Sequence, residues 1–179
     1  MNQPDSTDSA AARLRYLNDY LLEHPVTGPS DCRNPTRTLS TPISLGTLSH
    51  IDASVREVIT HTRKANPDAG QAPTRADAIY DWARQHTEHA DEAAQQRRDA
   101  IEYRQYLEHA IRAGDWRKVI RPQRCPECRT FGLMWRSGRI LCTNSECTDT
   151  DGTSTTVTLA RLAHEHVTAR KNLRQVRTT

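Results

Sequence analysis

Four cysteines constrain this chain more than anything else in it. Cys125-Pro126-Glu127-Cys128 is followed, after 13 residues, by Cys142-Thr143-Asn144-Ser145-Glu146-Cys147, the pattern C-x2-C-x13-C-x4-C. Two close pairs joined by a hairpin-length segment suit one tetrahedral ion, each pair gripping it from a tight turn. The spacing therefore predicts Cys125, Cys128, Cys142 and Cys147 as ligands of one structural zinc per chain. Four thiolates leave no open coordination position, so this zinc would hold a small segment folded rather than catalyse. Pro126 stiffens the first turn, and Asn144 suits a left-handed conformation in the second. The competing readings are two disulfides, which a chain without an export signal does not favour, and an iron–sulfur cluster. Cys32 stands apart and reads as an ordinary free thiol.

The segment between the pairs has strand character. Thr130–Trp135 and Arg139–Cys142 flank Ser137-Gly138, a two-residue hairpin turn. Alternation puts Phe131, Leu133 and Trp135 on one face, as core. Thr153–Thr158 is β-branched and offers a third strand or the entry to a helix. Leu159, Leu162, Ala163, His166, Val167, Arg170 and Leu173 then mark a final amphipathic helix.

Residues 1–115 read as a helical domain with a flexible tail at 1–8 and a Pro, Thr and Ser-rich loop at 25–43. Leu14, Leu17, Leu21 and Leu22 share one face of a first helix, with Tyr16 and Tyr20 beside them. Leu48, Ile51, Val55, Val58 and Thr62 mark a second helix near 46–64. A third and longest helix starts at Thr74, with Asp77 reaching back to complete the cap, and runs to Gly114. Its stripe is Ile79, Ala83, His86, Ala90, Ala93, Arg97, Ile101, Arg104 and Ile111, polar and Ala-rich in the middle. Such a helix needs partners, from the first two helices, a second copy or a host protein. The fold class is thus mainly α: a helical bundle or hairpin, then a basic zinc-ribbon domain at 116–179 with a C-terminal helix.

Charge is unevenly distributed. Residues 1–111 carry 12 basic and 16 acidic side chains, whereas residues 112–179 carry 13 and 6. Around the cysteines, Arg117, Lys118, Arg121, Arg124, Arg129, Arg136 and Arg139 face Glu127 alone. Such a field attracts polyanions. Of the 25 cations 22 are Arg, which suits bidentate phosphate or guanine contacts and equally reflects a GC-rich genome. Arg136 and Arg139 flank the hairpin turn, where facing like charges repel unless a phosphate or water relieves them. Arg121, Arg124, Arg129, Arg136 and Arg139 are the candidate nucleic-acid contacts. Arg170, Lys171, Arg174 and Arg177 either bind phosphate or complement the last helix dipole.

Catalytic motifs are missing. With 7 glycines the chain has no phosphate-binding loop, and neither H-E-x-x-H nor G-x-S-x-G occurs. Asp149 and Asp151 are explained by turn chemistry before Gly152. His86 and His89 are spaced to share a metal on a helix but lack a third ligand, and His164 and His166 point to different faces. No stretch is apolar and long enough to span a bilayer, and Met1–Ala12 lacks the make-up of a secretory signal.

The CPEC knuckle, the Trp-containing hairpin and the C-x-N-x-E-C turn running into TDTDGT resemble small zinc-ribbon proteins of actinobacteria and their phages. The resemblance covers residues 125–152 and the order of elements. It implies the same four cysteine ligands; Arg129 stands where many such knuckles carry Gly. The expected function is non-enzymatic: a nucleic-acid-binding or transcription-regulatory protein, cytoplasmic, in the host cytoplasm if phage-encoded. The alternative is a protein–protein adaptor or inhibitor of a host complex acting through the helical half, with a host protein or a second copy held by the long helix.

Overall fold

The computed structural model describes residues 9–23 and 45–178. The tail at 1–8, the loop at 25–43 and Cys32 lie outside them, as do the side chains of Tyr20, Leu21, Leu22, Arg174 and Arg177. The described residues form a mainly helical fold with a small antiparallel sheet. Its helices are α1 (Ala10–Glu23), α2 (Leu45–Ala65), α3 (Ile79–His86), α4 (Glu92–Arg112), α5 (Trp116–Val119) and α6 (Leu159–Thr178). Its strands are β1 (Leu133–Arg136), β2 (Arg139–Cys142) and β3 (Thr156–Val157), in the order β1-β2-β3.

Short side chains start three of these helices. The hydroxyls of Ser9 and Thr158 accept from Ala12 N and Arg161 N at 3.1 and 3.2 Å, and Asp91 Oδ1 accepts from Ala94 N at 2.7 Å. Each satisfies an amide that the first helical turn leaves without a partner. The Asp91 cap corrects the expectation of one long helix. The chain leaves helical geometry over 87–91 and restarts, so α3 and α4 are separate. The expected start differs too. Residues 76–78 form a short 3-10 turn whose preceding residue, Arg75, makes no side-chain cap, and Asp77 pairs instead with Arg15 and Arg75 at 2.6 and 2.7 Å. Gly114 ends α4 as expected, at φ 81°.

The restart also resets the helical phase. Ile79 and Ala83 are buried, but Arg97 is exposed. In α4 the side toward α6 is instead Glu92, Gln96, Tyr103, Leu107 and Ala110. Gln96 donates to Thr168 at 3.3 Å, Tyr103 stacks on His166 at 3.6 Å between ring centres, and Lys171 pairs with Glu92. Burial and Arg170 lower the His166 pKa.

Two apolar clusters hold the molecule. One joins Leu14 and Leu17 of α1, Ile51 and Val58 of α2, and Ile79, Tyr80, Trp82 and Ala83. The other joins Leu107 and Ala110 of α4, Val119, Ile120, three of the cysteines, Leu133, Ile140, Val157 and Leu162. Tyr106 of α4 packs against both. Leu48, expected in the α2 seam, is exposed, as are Tyr16 and Leu173.

A polar chain that sequence patterning did not single out runs through the helical half. His50 Nε2 lies 2.9 Å from His109 Nδ1, and His109 Nε2 lies 3.1 Å from Tyr80 Oη. Tyr80 Oη donates to Gln105 Oε1 at 2.8 Å, and Gln105 Nε2 donates to Ser54 O and Glu57 Oε2 at 3.1 and 2.9 Å. The direction follows from what each group can do. Gln105 Oε1 only accepts, so the Tyr80 proton points at it, and Tyr80 accepts from His109 Nε2–H. His109 Nδ1 must then accept from His50 Nε2–H. Arg104, paired with Glu57 and Glu108, closes the far end. Burial, followed by His50 and Arg112, pushes the His109 pKa down to about 3; burial and Arg112 push His50 to about 4.

Candidate metal centre

The hairpin is built by its turn. Ser137 and Gly138 have φ of 49° and 80°, the left-handed pair that matches the twist of a two-residue hairpin. This fixes the register Leu133↔Cys142, Met134↔Leu141, Trp135↔Ile140 and Arg136↔Arg139. Cys142 therefore ends β2 beside the base of β1, next to the first knuckle. Thr155 N donates to Cys147 O, and Cys142 N donates to Thr155 O, both at 3.0 Å, which ties the second knuckle to the chain entering β3.

The first knuckle closes with Arg129 N donating to Cys125 O and Cys125 N donating to Thr130 O, both at 2.9 Å. Arg129 adopts φ 61°, the conformation for which glycine is the usual residue. In the second knuckle Asn144 is not left-handed, which corrects the expectation. Its side chain accepts from Glu146 N at 3.2 Å and its carbonyl accepts from Cys147 N at 3.0 Å, so an Asx turn replaces the strained conformation.

These turns bring Cys125, Cys128, Cys142 and Cys147 together, with all four sulfurs within 4.8 Å of one another. Across the knuckles, Cys125 Sγ lies 3.8 Å from Cys147 Sγ and Cys128 Sγ lies 3.6 Å from Cys142 Sγ. A tetrahedron of thiolates with metal–sulfur bonds of about 2.3 Å has edges of about 3.8 Å. Disulfide sulfurs lie about 2.05 Å apart, so these contacts are not disulfides. The donor set fits a metal ion of this kind.

The thiols are not equivalent. The Thr130 hydroxyl, 3.0 Å from Cys128 Sγ, and its backbone bring the Cys128 pKa down to about 6. Burial pushes Cys142 up to about 12. A bound cation reverses that cost, because a coordinated thiol is deprotonated outright.

The predicted cationic residues surround this cluster, but they are not alike. Arg129 pairs with Glu165 at 2.8 Å, and Glu127 pairs with Arg161 at 2.6 Å. Arg121, Arg124, Arg136 and Arg139, with Arg117, are exposed and in no ion pair among the described residues. Arg136 and Arg139 do face each other at the tip. In the helical half Arg13, Arg15, Arg56, Arg75, Arg84, Arg98 and Arg104 pair with carboxylates, and only the scattered Arg63, Arg97 and Arg112 among its described arginines do not.

Phe131 departs from the expected core. It is 59% exposed, and Arg124 lies over its ring at 4.1 Å. Leu133 is buried and Trp135 is packed against the second cluster, as alternation predicts. His86 and His89 fall on opposite sides of the end of α3, and the four cysteines are the metal-competent group found among the described residues. Asp151 accepts from Thr153 N and Oγ1 at 3.0 and 2.7 Å, which is turn chemistry. No helix among the described residues is long and apolar enough to cross a membrane. Comparison with protein families, curated proteins and solved structures returns no match.

Proposed function

We propose that this chain is a non-enzymatic zinc protein that binds nucleic acid through the basic surface of its cysteine segment, in a transcription-regulatory or similar role. Four thiolates in a tetrahedral set are ligands for zinc or an iron–sulfur cluster, and knuckles on a short hairpin favour one zinc. Zinc here acts by folding the segment that carries the arginines.

One observation carries the binding reading. Elsewhere the described arginines are largely matched with carboxylates, whereas Arg117, Arg121, Arg124, Arg136 and Arg139 lack such partners within one 23-residue stretch, 117–139. Unmatched guanidinium groups on a rigid scaffold suit phosphates. The zinc-loaded protein should bind labelled mixed-sequence DNA or RNA, as duplex or single strand, by fluorescence anisotropy, with log K falling linearly as log salt rises. Replacing Arg136 and Arg139 by Ala should flatten that slope by about 2. A slope unchanged in the double variant removes the tip from the contact surface, and no binding at low salt overturns the reading.

A further inference from the structure

We infer that Phe131 and Arg124 form a stacking platform for an unpaired base, which makes single-stranded nucleic acid the ligand class of the basic segment. This rests on the nucleic-acid reading above and narrows it.

The platform is imposed by the backbone. Gly132 has φ 108°, and a Cβ built on it would lie 2.5 Å from the Thr143 hydroxyl oxygen. That hydroxyl donates to Gly132 O at 2.5 Å. A side chain is excluded here, and the glycine breaks the regular alternation of the strand. Leu133 consequently points into the core at 1% exposure while Phe131, two residues earlier, stands out at 59%. An exposed Phe in a chain this poor in aromatics is the informative kind of exception, because the local geometry is built to produce it.

The ring is also prepared. Arg124 and Phe131 face each other in an antiparallel bridge. The Arg124 guanidinium lies 4.1 Å from the ring centre, and its Nη1 donates to Arg129 O at 3.1 Å. The cation is thereby held against the ring, and Phe131 as a whole stays 59% exposed. An aromatic face beside a fixed, carboxylate-free cation is what a base and its phosphate require together. In a duplex the base faces are already covered by their neighbours, so a single strand fits the platform and a duplex does not. An apolar peptide would cover Phe131 but would leave the surrounding arginines unmatched.

The test uses the zinc-loaded full chain and three labelled probes of one mixed sequence: single-stranded DNA, single-stranded RNA and duplex DNA, by fluorescence anisotropy at fixed salt. Phe131→Ala should weaken both single-stranded probes by about 5- to 140-fold, the range for losing one stacked base, and change duplex binding by less than about twofold. Phe131→Trp should retain single-strand affinity. Zinc content should stay at one per chain in both variants, because the ring is exposed. Single-strand affinity unchanged in Phe131→Ala, or an equal loss on duplex, overturns the platform while leaving the nucleic-acid reading in place. If the unmodified protein binds none of the probes at low salt, the nucleic-acid reading fails and the platform with it.

Discussion

His109 offers a sharp test of the buried polar chain. It is fully buried, its Nδ1 accepts from His50, and its Nε2–H is held by Tyr80. Protonating it would force a second N–H toward the His50 nitrogen that already donates, next to Arg112, Arg13 and Arg104. The folded protein therefore keeps His109 neutral far below the ordinary value of 6.5, to about 3. In the unfolded chain it titrates normally. Between these limits the unfolded state binds the extra proton, so stability is complete above about pH 6.5 and declines as pH falls toward about 3. At about pH 5 the loss from His109 is about 2 kcal/mol relative to about pH 7.5. His50 acts in the same direction but is only partly buried, so solvent screening makes its share smaller. Urea unfolding at the two pH values measures the change. Acid also protonates the cysteines and weakens metal binding, so the informative quantity is the difference between the protein and His109→Gln in the same buffers. Gln can still donate to Tyr80, but it does not titrate. The variant should lose about 2 kcal/mol less between the two pH values, or somewhat more if His50 becomes solvated. Equal pH dependence in both proteins would refute the argument, since His109 would then titrate in the fold as it does in water.

Other substitutions probe the remaining joints. Cys128→Ser should abolish stoichiometric zinc by mass spectrometry and expose the cysteine segment to protease; retention of one zinc per chain would rule out the four-ligand set. Gly132→Ala places a side chain at φ 108° against the Thr143 hydroxyl and should lower stability by about 1–3 kcal/mol in thermal unfolding. Tyr80→Phe leaves the Gln105 carbonyl and the His109 N–H without their shared partner, for a loss of about 1–3 kcal/mol. Ser137→Asn suits the left-handed φ of 49° better than Ser and should raise the melting temperature slightly; a lowered value would argue against the turn geometry.

The four-cysteine cluster and the hairpin are legible in the sequence because they depend on local chemistry. Cysteine spacing, Ser137-Gly138 and strict opposition across a two-residue turn leave few alternatives, so Arg136 and Arg139 met as expected. The errors arise where local patterns are ambiguous. Residues 87–91 contain neither Pro nor Gly, and Thr87, Glu88, His89 and Ala90 are all compatible with a helix. Only the Asp91 cap betrays the break, and misreading it rotated the expected face of α4. Alternation misplaces Phe131 because it presumes a regular strand, which Gly132 interrupts. His109 and Gln105 look like surface residues of a polar helix. Their burial depends on partners about 25 to 59 positions away in sequence, in α2 and α3, and no local pattern carries that information.

The placement of α4 in both apolar clusters makes the two halves of the molecule thermodynamic ligands of each other. Removing an ion held by the four cysteines would loosen the surface on which Leu107 and Ala110 pack, and with it the far side of the same helix. Reciprocity then requires that whatever tightens the helical half raises metal affinity by the same factor. A substitution near Ile51 or Val58, far in sequence from the four clustered sulfurs, would change how strongly those cysteines compete for a metal ion.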